Sequence, residues 1–170
     1  MKRNIQKIMA ICFFWGVKIT FATLDDTLPL TVQSDSLKAN YATQEGMYIG
    51  NAVADQGTRH LTADHILLIR DPNLRRFSEI HAFGNSDAQA HIQLIPKPGD
   101  SLVKGMSDEI IYHPLLHTVT FKGNVELDQN GKVYHGPLAI YDLDTEIVDS
   151  PASKEGRVIM LFPPDESATS

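Results

Sequence analysis

Histidine pairs are the first residues in this sequence that could do chemistry. His113 and His117 are four positions apart, a spacing that puts two imidazoles on one face of a helix, where they could share a metal ion. Pro114 disfavours a helix here, and no third ligand accompanies the pair. His60 and His65 are five positions apart in a strand-rich segment, so their side chains point to opposite faces. The sequence therefore predicts no metal site and no cofactor.

Acidic and nucleophilic motifs are equally weak. Asp142, Asp144 and Glu146 alternate as in a calcium loop, but the glycine and the spacing of such a loop are missing, which favours a solvated turn. The sequence has no Gly-x-Ser-x-Gly elbow and no Walker A loop, and its one cysteine, Cys12, lies near the amino terminus. We expect no catalytic residues and no enzyme, with a small hydrolase as the disfavoured alternative.

Three arginines surround an Asp-Pro-Asn turn. Arg70 precedes the turn, and Arg75 and Arg76 follow it closely. Guanidinium groups match the geometry of phosphate, so these side chains could bind a phosphorylated ligand. A solvated basic loop is the favoured alternative.

The first 22 residues have the pattern of a secretory signal peptide. Lys2, Arg3 and Lys7 precede an apolar run of ten residues, 8–17, and small residues stand at Thr20 and Ala22. The run is shorter than the ~20 residues that a membrane-spanning helix needs. We therefore predict a cleaved signal peptide over residues 1–22, a β-domain over 23–164 and a flexible polar tail over 165–170.

Removal of the predicted signal peptide makes the chain more acidic. Residues 1–22 hold four basic and no acidic residues, so the formal net charge changes from −6 to −10. Nucleic acid is excluded as the main partner, because phosphate neutralisation requires clustered cations. Without cysteine, the remaining chain depends on its core and on sheet hydrogen bonds.

Apolar residues alternate with polar ones over short runs, which indicates strands with one buried face. Turn residues separate the runs at intervals of roughly 8 to 12 positions, as is typical of sandwiches, barrels and jelly rolls. Asn130-Gly131 stands between two such runs and predicts a two-residue type I′ hairpin, since both positions require positive φ.

An internal repeat divides the sequence. Three dipeptides recur 73 positions later: Ser34-Asp35 as Ser107-Asp108, Gly50-Asn51 as Gly123-Asn124, and Asp55-Gln56 as Asp128-Gln129. The two copies are joined by the Pro- and Gly-containing stretch 96–100. Each copy has an apolar face that it cannot bury alone, so we expect the copies to stack around one core.

An ordered series of short motifs resembles the LptA/OstA family of periplasmic lipopolysaccharide transport proteins. The resemblance runs from about residue 28 to about residue 164 and rests on the segments Leu30–Asp35, Tyr48–Val53, Leu61–His65, Phe83–Asn85, Val103–Gly105, Ser107–Tyr112 and Val119–Val125. The second copy departs from the first where Ala63-Asp64 is replaced by Gly136-Pro137.

The resemblance implies an all-β, slightly twisted antiparallel jelly roll, built from the two strand repeats and open at both ends. It implies a periplasmic carrier that shields the acyl chains of lipid A in an apolar groove, and whose three arginines are candidates to meet lipid A phosphates. Its implied partners are lipopolysaccharide, an LptC-like inner-membrane-anchored protein, an LptD-like outer-membrane translocon and further copies of itself, head to tail. A same-fold docking domain without lipid cargo, LptC-like or a scaffold, is the alternative.

Strand parity gives the candidate lipid-binding face. The residues predicted to face inward are Leu30, Val32, Tyr48, Ile92, Leu94, Ile110, Tyr112, Phe121, Val125, Leu138 and Ile140. From the pattern alone, these residues could equally fill a solid core.

The two ends of the domain are the candidate docking edges. At the carboxyl end, the apolar run Val158, Ile159, Met160, Leu161 and Phe162 is stopped by two prolines. At the amino end, Leu28 and Leu30 flank Pro29, and proline within a sheet belongs on an edge strand. Joining such edges is strand addition, which can extend head to tail. Ordinary terminal strands are the alternative.

Overall fold

Residues 24–164, the part of the chain that the computed structural model describes, form an antiparallel β-structure. A short 3-10 helix, Leu24–Thr27, precedes the strands. The strands are β1 (Thr31–Gln33), β2 (Ser36–Asn40), β3 (Glu45–Gln56), β4 (Arg59–Asp71), β5 (Arg76–Phe83), β6 (Ala90–Leu94), β7 (Val103–Ser107), β8 (Glu109–His113), β9 (Thr118–Gln129), β10 (Lys132–Asp142), β11 (Ile147–Asp149) and β12 (Ile159–Leu161). The all-β prediction is confirmed. The predicted signal peptide and the polar tail lie outside the described residues.

Four long strands build two layers. β3, β4, β9 and β10 each bend near the middle and give one half to each layer. The first layer has the order β2-β3-β4-β5-β8-β9-β10-β11, and the second has the order β1-β3-β4-β6-β7-β9-β10-β12. The apolar core lies between the layers.

The bends are set by repeated glycine–asparagine pairs. Gly50 and Asn51 have φ of 82° and 46°, and Gly123 and Asn124 have 73° and 48°. Glycine and asparagine tolerate this left-handed conformation better than other residues, so each pair forms a bulge that bends its strand. The pairing register shifts at both places.

An aspartate holds each bend. The Asp35 amide donates to the Gly50 carbonyl (3.0 Å), and the Asn51 side chain donates to the Asp35 carboxylate (2.9 Å). Asp108 makes the same two contacts with Gly123 and Asn124, at 3.0 and 2.9 Å. The predicted repeat is thus confirmed, since the recurring residues make the same hydrogen bonds in each copy.

The repeats cover β1–β6 and β7–β12, called here the N-terminal and C-terminal repeats. Within each repeat the first, second and fourth strands pair with the third, and the fifth and sixth pair with the fourth. β5·β8 and β6·β7 join the two repeats. This leaves β1 and β2 as edges at one end and β11 and β12 at the other.

The predicted hairpin at Asn130-Gly131 is confirmed. Lys132 pairs directly with Gln129, so the loop has two residues, and both have positive φ, 56° and 74°. The Asp128 carboxylate accepts a hydrogen bond from the Gly131 amide (3.0 Å), which fixes the turn locally.

Candidate functional site: the interior and its two ends

Most residues of the predicted inward face line the space between the layers. Ile92, Leu94, Ile110, Tyr112, Phe121 and Val125 are buried there. Leu30, Val32 and Tyr48 are partly buried and pack against the same core. The three partly buried residues all belong to β3 or to the segment around β1, at the N-terminal end.

Leu138 and Ile140 do not face the core, so the prediction for these two residues is wrong. On β10 the core side chains are Tyr134, Ala139 and Tyr141, an even position followed by two odd ones. The bulge between Gly136 and Leu138 changes the parity of β10, because β9 contributes one more residue than β10 through the bend. Parity beyond a bulge cannot be extended from the residues before it.

Several core residues were missed by the sequence reasoning. They are Ala52, Ala54, Leu61, Ile66, Leu68, Ile80, Ala82, Ala90, Val103, Val119, Leu127, Tyr134, Ala139, Tyr141 and Leu143. The repeat carried a signal for some of them, since Leu61, Ile66 and Leu68 correspond to Tyr134, Ala139 and Tyr141. The offset relates the two sets, but it does not by itself show which face of β4 and β10 points inward.

The C-terminal repeat has a filled interior. Phe121 and Tyr141 are among the largest fully buried side chains. A Cβ at Gly105 would collide with the Phe121 ring, so this glycine makes room for the aromatic side chain. Here the side chains of both layers meet in one buried core.

Polar contacts join the turns at the ends of the two layers in this repeat. The Lys97 ammonium, between β6 and β7, donates to the Asp144 carbonyl in the β10–β11 turn. Gln129 donates to the Glu146 carboxylate across the same gap (2.9 Å). We call these contacts the latch, because they hold the turns of one layer against those of the other.

A buried ionic cluster lies beside the latch. Asp25 and Arg59 are both 6% exposed, and the Arg59 guanidinium contacts the Asp26 carboxylate at 2.5 Å. The same guanidinium lies 5.0 Å from the centre of the Tyr112 ring. Burial of Tyr112 raises the pKa of its hydroxyl well above its usual range. The cluster ties the amino-terminal segment and β4 of the second layer to β8 of the first.

The N-terminal repeat has an opening instead. A cavity of about 300 Å³ lies between the β2–β3 and β4–β5 turns, and its walls include Tyr48, Leu68, Arg70 and Phe77. Of these, Tyr48 and Phe77 are the partly buried residues that pack on the core. The cavity therefore reaches the apolar interior from solvent.

The candidate docking edges lie at opposite ends of the sheets. Within residues 24–164, β12 pairs only with β10, and the side chains from Val158 to Phe162 are exposed. Leu28 is exposed and Leu30 partly buried, directly before edge strand β1. In the described part of the chain, both segments thus end the second layer with unpaired backbone groups on one side.

The histidine and acidic motifs have structural partners. His60 and His65 contact Asp55 and Asp64 at 2.6 and 2.8 Å. His117 lies between Asp26 and Asp144, at 3.5 and 3.1 Å. Within residues 24–164, no group of three histidine, cysteine or acidic side chains could hold a metal ion.

Asp142 begins a turn, as the solvated-turn interpretation expected. Its carboxylate accepts hydrogen bonds from the amides of Asp144 (2.9 Å) and Thr145 (2.8 Å). The backbone hydrogen bond from Thr145 lowers the pKa of Asp142. The carboxylate is thereby engaged in fixing the β10–β11 turn.

Helices in the described part of the chain are too short to cross a membrane.

Comparisons with known proteins agree with this architecture. A family model described as LptA/(LptD N-terminal domain) LPS transport protein matches residues 31–147. The lipopolysaccharide export system protein LptH of Pseudomonas aeruginosa is 24% identical over an alignment of 151 residues that covers 85% of this chain and 84% of LptH.

The crystal structure of LptH has the same fold. It is described as the LptA homologous periplasmic component of the conserved lipopolysaccharide transport device of that organism. It matches with a TM-score of 0.74 and 23% identity, over 82% of this chain and 99% of the LptH chain.

Proposed function

The chain belongs to the family of LptA and LptD N-terminal-domain lipopolysaccharide transport proteins, and on this premise we propose that it is a periplasmic carrier and bridge module. It holds the acyl chains of lipid A against the apolar faces of its two layers. Its ends join same-fold domains, either LptC-like and LptD-like partners or further copies of itself. The family consists of transport proteins, in agreement with the expectation that the chain is not an enzyme.

The observation that carries the bridge is the junction between the two repeats inside the chain. There, β8 and β7 of the C-terminal repeat pair with β5 and β6 of the N-terminal repeat. The edge strands β2 and β1 are the repeat equivalents of β8 and β7. The edge strands β11 and β12 are the equivalents of β5 and β6. A second copy can therefore add to the first by the pairing that the chain already makes within itself.

The first layer gives a definite register for this joint. Inside the chain, Ile110 and Ile111 face Ala82 and His81. The 73-residue offset relates β8 to the edge strand β2. The pairings of β5 with β4 and of β11 with β10 relate β5 to the edge strand β11. The same register between two copies would then pair Leu37 with Ser150, Lys38 with Asp149 and Ala39 with Val148. Lys38 and Asp149 have opposite charges, which favours this register over its neighbours.

The exposed apolar residues at the edges fit the same joint. Leu37 is 56% exposed, whereas its equivalent in the internal junction, Ile110, is fully buried. In the second layer, Phe162 is 69% exposed and its equivalent, Leu94, is 1% exposed. Strand addition would place Phe162 opposite Leu30 and Met160 opposite Val32 of the next copy, and so withdraw these side chains from water.

The joint would also make the apolar interior continuous. The inward residues at the two ends, Leu30, Val32, Met160 and Phe162, would extend the wall formed by the core. Each CH₂ group of an acyl chain withdrawn from water contributes about 0.8 kcal/mol, so such a wall can hold a lipid by apolar contact. The acidic character of the chain is compatible with this mode, which needs few charges.

The filled C-terminal repeat favours a second candidate, a docking domain of the same fold without lipid cargo. Its interior is occupied by the buried side chains of Phe121, Tyr141 and Leu143. A carrier would have to open this half or hold lipid in the N-terminal half alone.

Site-specific photo-crosslinking separates the two candidates. A photoreactive residue at Tyr48 lies on the interior wall, and one at Met47 lies on the same strand with the opposite orientation. Both positions are partly buried, so they form a matched pair. In cells that export lipopolysaccharide, the carrier predicts crosslinks to lipopolysaccharide from position 48 and not from 47. Equal labelling, or none from either site, would support the docking domain.

A further inference from the structure

We propose that Arg70 forms, at the open end of the N-terminal repeat, a site for the phosphate of an acylated lipid. This inference rests on the proposed carrier function and adds to it the position of the anionic head group. The occupant is one lipid whose acyl chain contacts the interior wall while its phosphate contacts Arg70.

Arg70 lies where the interior wall meets solvent. On β4 the inward side chains are Ile66 and Leu68, both buried, followed at the same spacing by exposed Arg70. Arg70 pairs across the strands with Phe77, which packs on the core. The 300 Å³ of the adjoining cavity is at the lower end of small-molecule sites, so it suits a head group or a chain end.

The guanidinium is held in place by two contacts. Its Nη2 donates to the Arg75 carbonyl (2.7 Å), and its carbon lies 6.0 Å from the centre of the Phe77 ring. A guanidinium has five N–H donors in a planar fork that matches phosphate. The hydrogen bond to Arg75 uses one of these donors, so most of the donors are left for a ligand.

Among the residues that the structure describes, Arg70 is the only basic one that lines this cavity. Glu45 also lines it, and its carboxylate accepts a hydrogen bond from the Thr43 hydroxyl (3.0 Å) and keeps its negative charge. Among residues 24–164, Arg70 makes no ion pair with Glu45 or with any other carboxylate. Its charge is thus not neutralised within the described structure.

The C-terminal repeat shows that the fold does not require a charge here. The Arg70 amide donates to the Gln44 carbonyl (3.2 Å), and the Leu143 amide donates to the His117 carbonyl (2.9 Å). Gln44 and His117 both have positive φ, 60° and 52°, so the two turns are equivalent. Leu143 is 1% exposed and closes its end of the interior. Arginine at the same place leaves the other end open and puts a cation at its rim.

Binding of two amphiphiles to residues 23–170, the chain without the predicted signal peptide, tests the site when measured by calorimetry below their micelle concentrations. Dodecyl phosphate carries the anionic head group, and dodecyl maltoside is its neutral counterpart. We expect Arg70→Gln to weaken dodecyl phosphate binding about tenfold, as the loss of a charge-assisted contact does, and to leave dodecyl maltoside binding unchanged. Arg70→Lys should keep part of the preference.

Arg76→Gln is the matched control, because it removes the same charge from the same turn without touching this cavity. We expect it to change the affinity for dodecyl phosphate less than about twofold. An equal loss in both variants would reduce the effect to general electrostatics and overturn the proposal. Inorganic phosphate should not compete at equal concentration, and competition would reassign the site to free phosphate.

Failure of the site and failure of the carrier function give different results. If both amphiphiles bind and Arg70→Gln changes neither affinity, the head-group site is wrong while the apolar carrier remains. If neither amphiphile binds the parent protein, the carrier function is wrong, and the head-group site is wrong with it.

Discussion

The two repeats have the same strands and turns but differ in how much of their inner surface is covered. Phe121 in the C-terminal repeat is 1% exposed, whereas its equivalent Tyr48 is only partly buried. Ile110 is fully buried and its equivalent Leu37 is 56% exposed. In each pair the backbone position is the same, so the difference must come from what lies beside it.

The difference arises because β5 and β6 cover the first two strands of the C-terminal repeat. β7 and β8 open the C-terminal repeat and pair with β6 and β5 of the repeat before them. β1 and β2 occupy the same positions in the N-terminal repeat, and no strand among residues 24–164 pairs with their outer edges. The N-terminal repeat is therefore a unit that lacks its preceding neighbour, which is the condition expected of a module that adds to others.

The largest expected effect comes from replacing Phe121 and its equivalent Tyr48 by alanine. Phe121→Ala should lower the free energy of unfolding by about 3–5 kcal/mol, because it leaves a cavity in a filled core. Tyr48→Ala should cost only about 1 kcal/mol in the isolated chain, since its side chain is partly exposed. Urea unfolding of both variants measures the two changes in the free energy of unfolding. Equal losses would mean that the two repeats are equally covered in solution.

The bend aspartates should show a smaller contrast. Asp108 accepts hydrogen bonds from Asn124 (2.9 Å) and Gln89 (3.1 Å), whereas the only side chain that donates to Asp35, within the described residues, is Asn51 (2.9 Å). We expect Asp108→Ala to cost about 1–2 kcal/mol and Asp35→Ala about 0.5–1 kcal/mol. Gln89 also donates to the Asn124 carbonyl (2.9 Å), so adding Gln89→Ala to Asp108→Ala should cost a further ~1 kcal/mol for that remaining hydrogen bond. No further loss would show that Gln89 supports the bend through Asp108 alone.

The smallest effect concerns pH. Burial raises the pKa of Tyr141 to about 12, from about 10 in an unfolded chain. A raised pKa means that the folded state holds the proton more tightly, so the stabilisation is complete below pH ~10 and is lost as the pH rises towards ~12. We expect the melting temperature of Tyr141→Phe to fall less than that of the parent between about pH 9 and 11.

Exposed Tyr41, in the β2–β3 turn of the N-terminal repeat, provides the control for that experiment. Tyr41→Phe should keep the alkaline slope of the parent protein. If the alkaline slope of the melting temperature is unchanged in Tyr141→Phe as well, Tyr141 is excluded as its source.

Local turn chemistry explains how much could be predicted from the sequence. Gly50-Asn51, Gly123-Asn124 and Asn130-Gly131 require positive φ, so the repeat and the hairpin were readable from residue types alone. The orientation of Leu138 and Ile140 could not be predicted in this way, because it depends on how many residues each strand has within the bend. The contact of Asp26 with Arg59 joins segments far apart in sequence, and no local pattern encodes it.

The openness of the interior also depends on tertiary structure. Whether an apolar face is filled or free is decided by the side chains opposite it, and alternation along one strand does not report them. The contrast between Arg70 and Leu143 was present in the sequence, but it became meaningful only when the turn hydrogen bonds established their equivalence.

Disulfide crosslinking between two copies tests the bridge register most directly. The described residues contain no cysteine, so Lys38→Cys and Asp149→Cys can be made in separate proteins and mixed. Directly opposed residues in an antiparallel pair have Cα atoms about 4.5–5.5 Å apart, within the range for a disulfide. Ile147→Cys, two residues away on the same face of β11, is the control partner. The account predicts an efficient disulfide between positions 38 and 149 and a much weaker one between 38 and 147. Equal yields from both pairs, or no disulfide from either, would contradict end-to-end addition in the register of the internal junction.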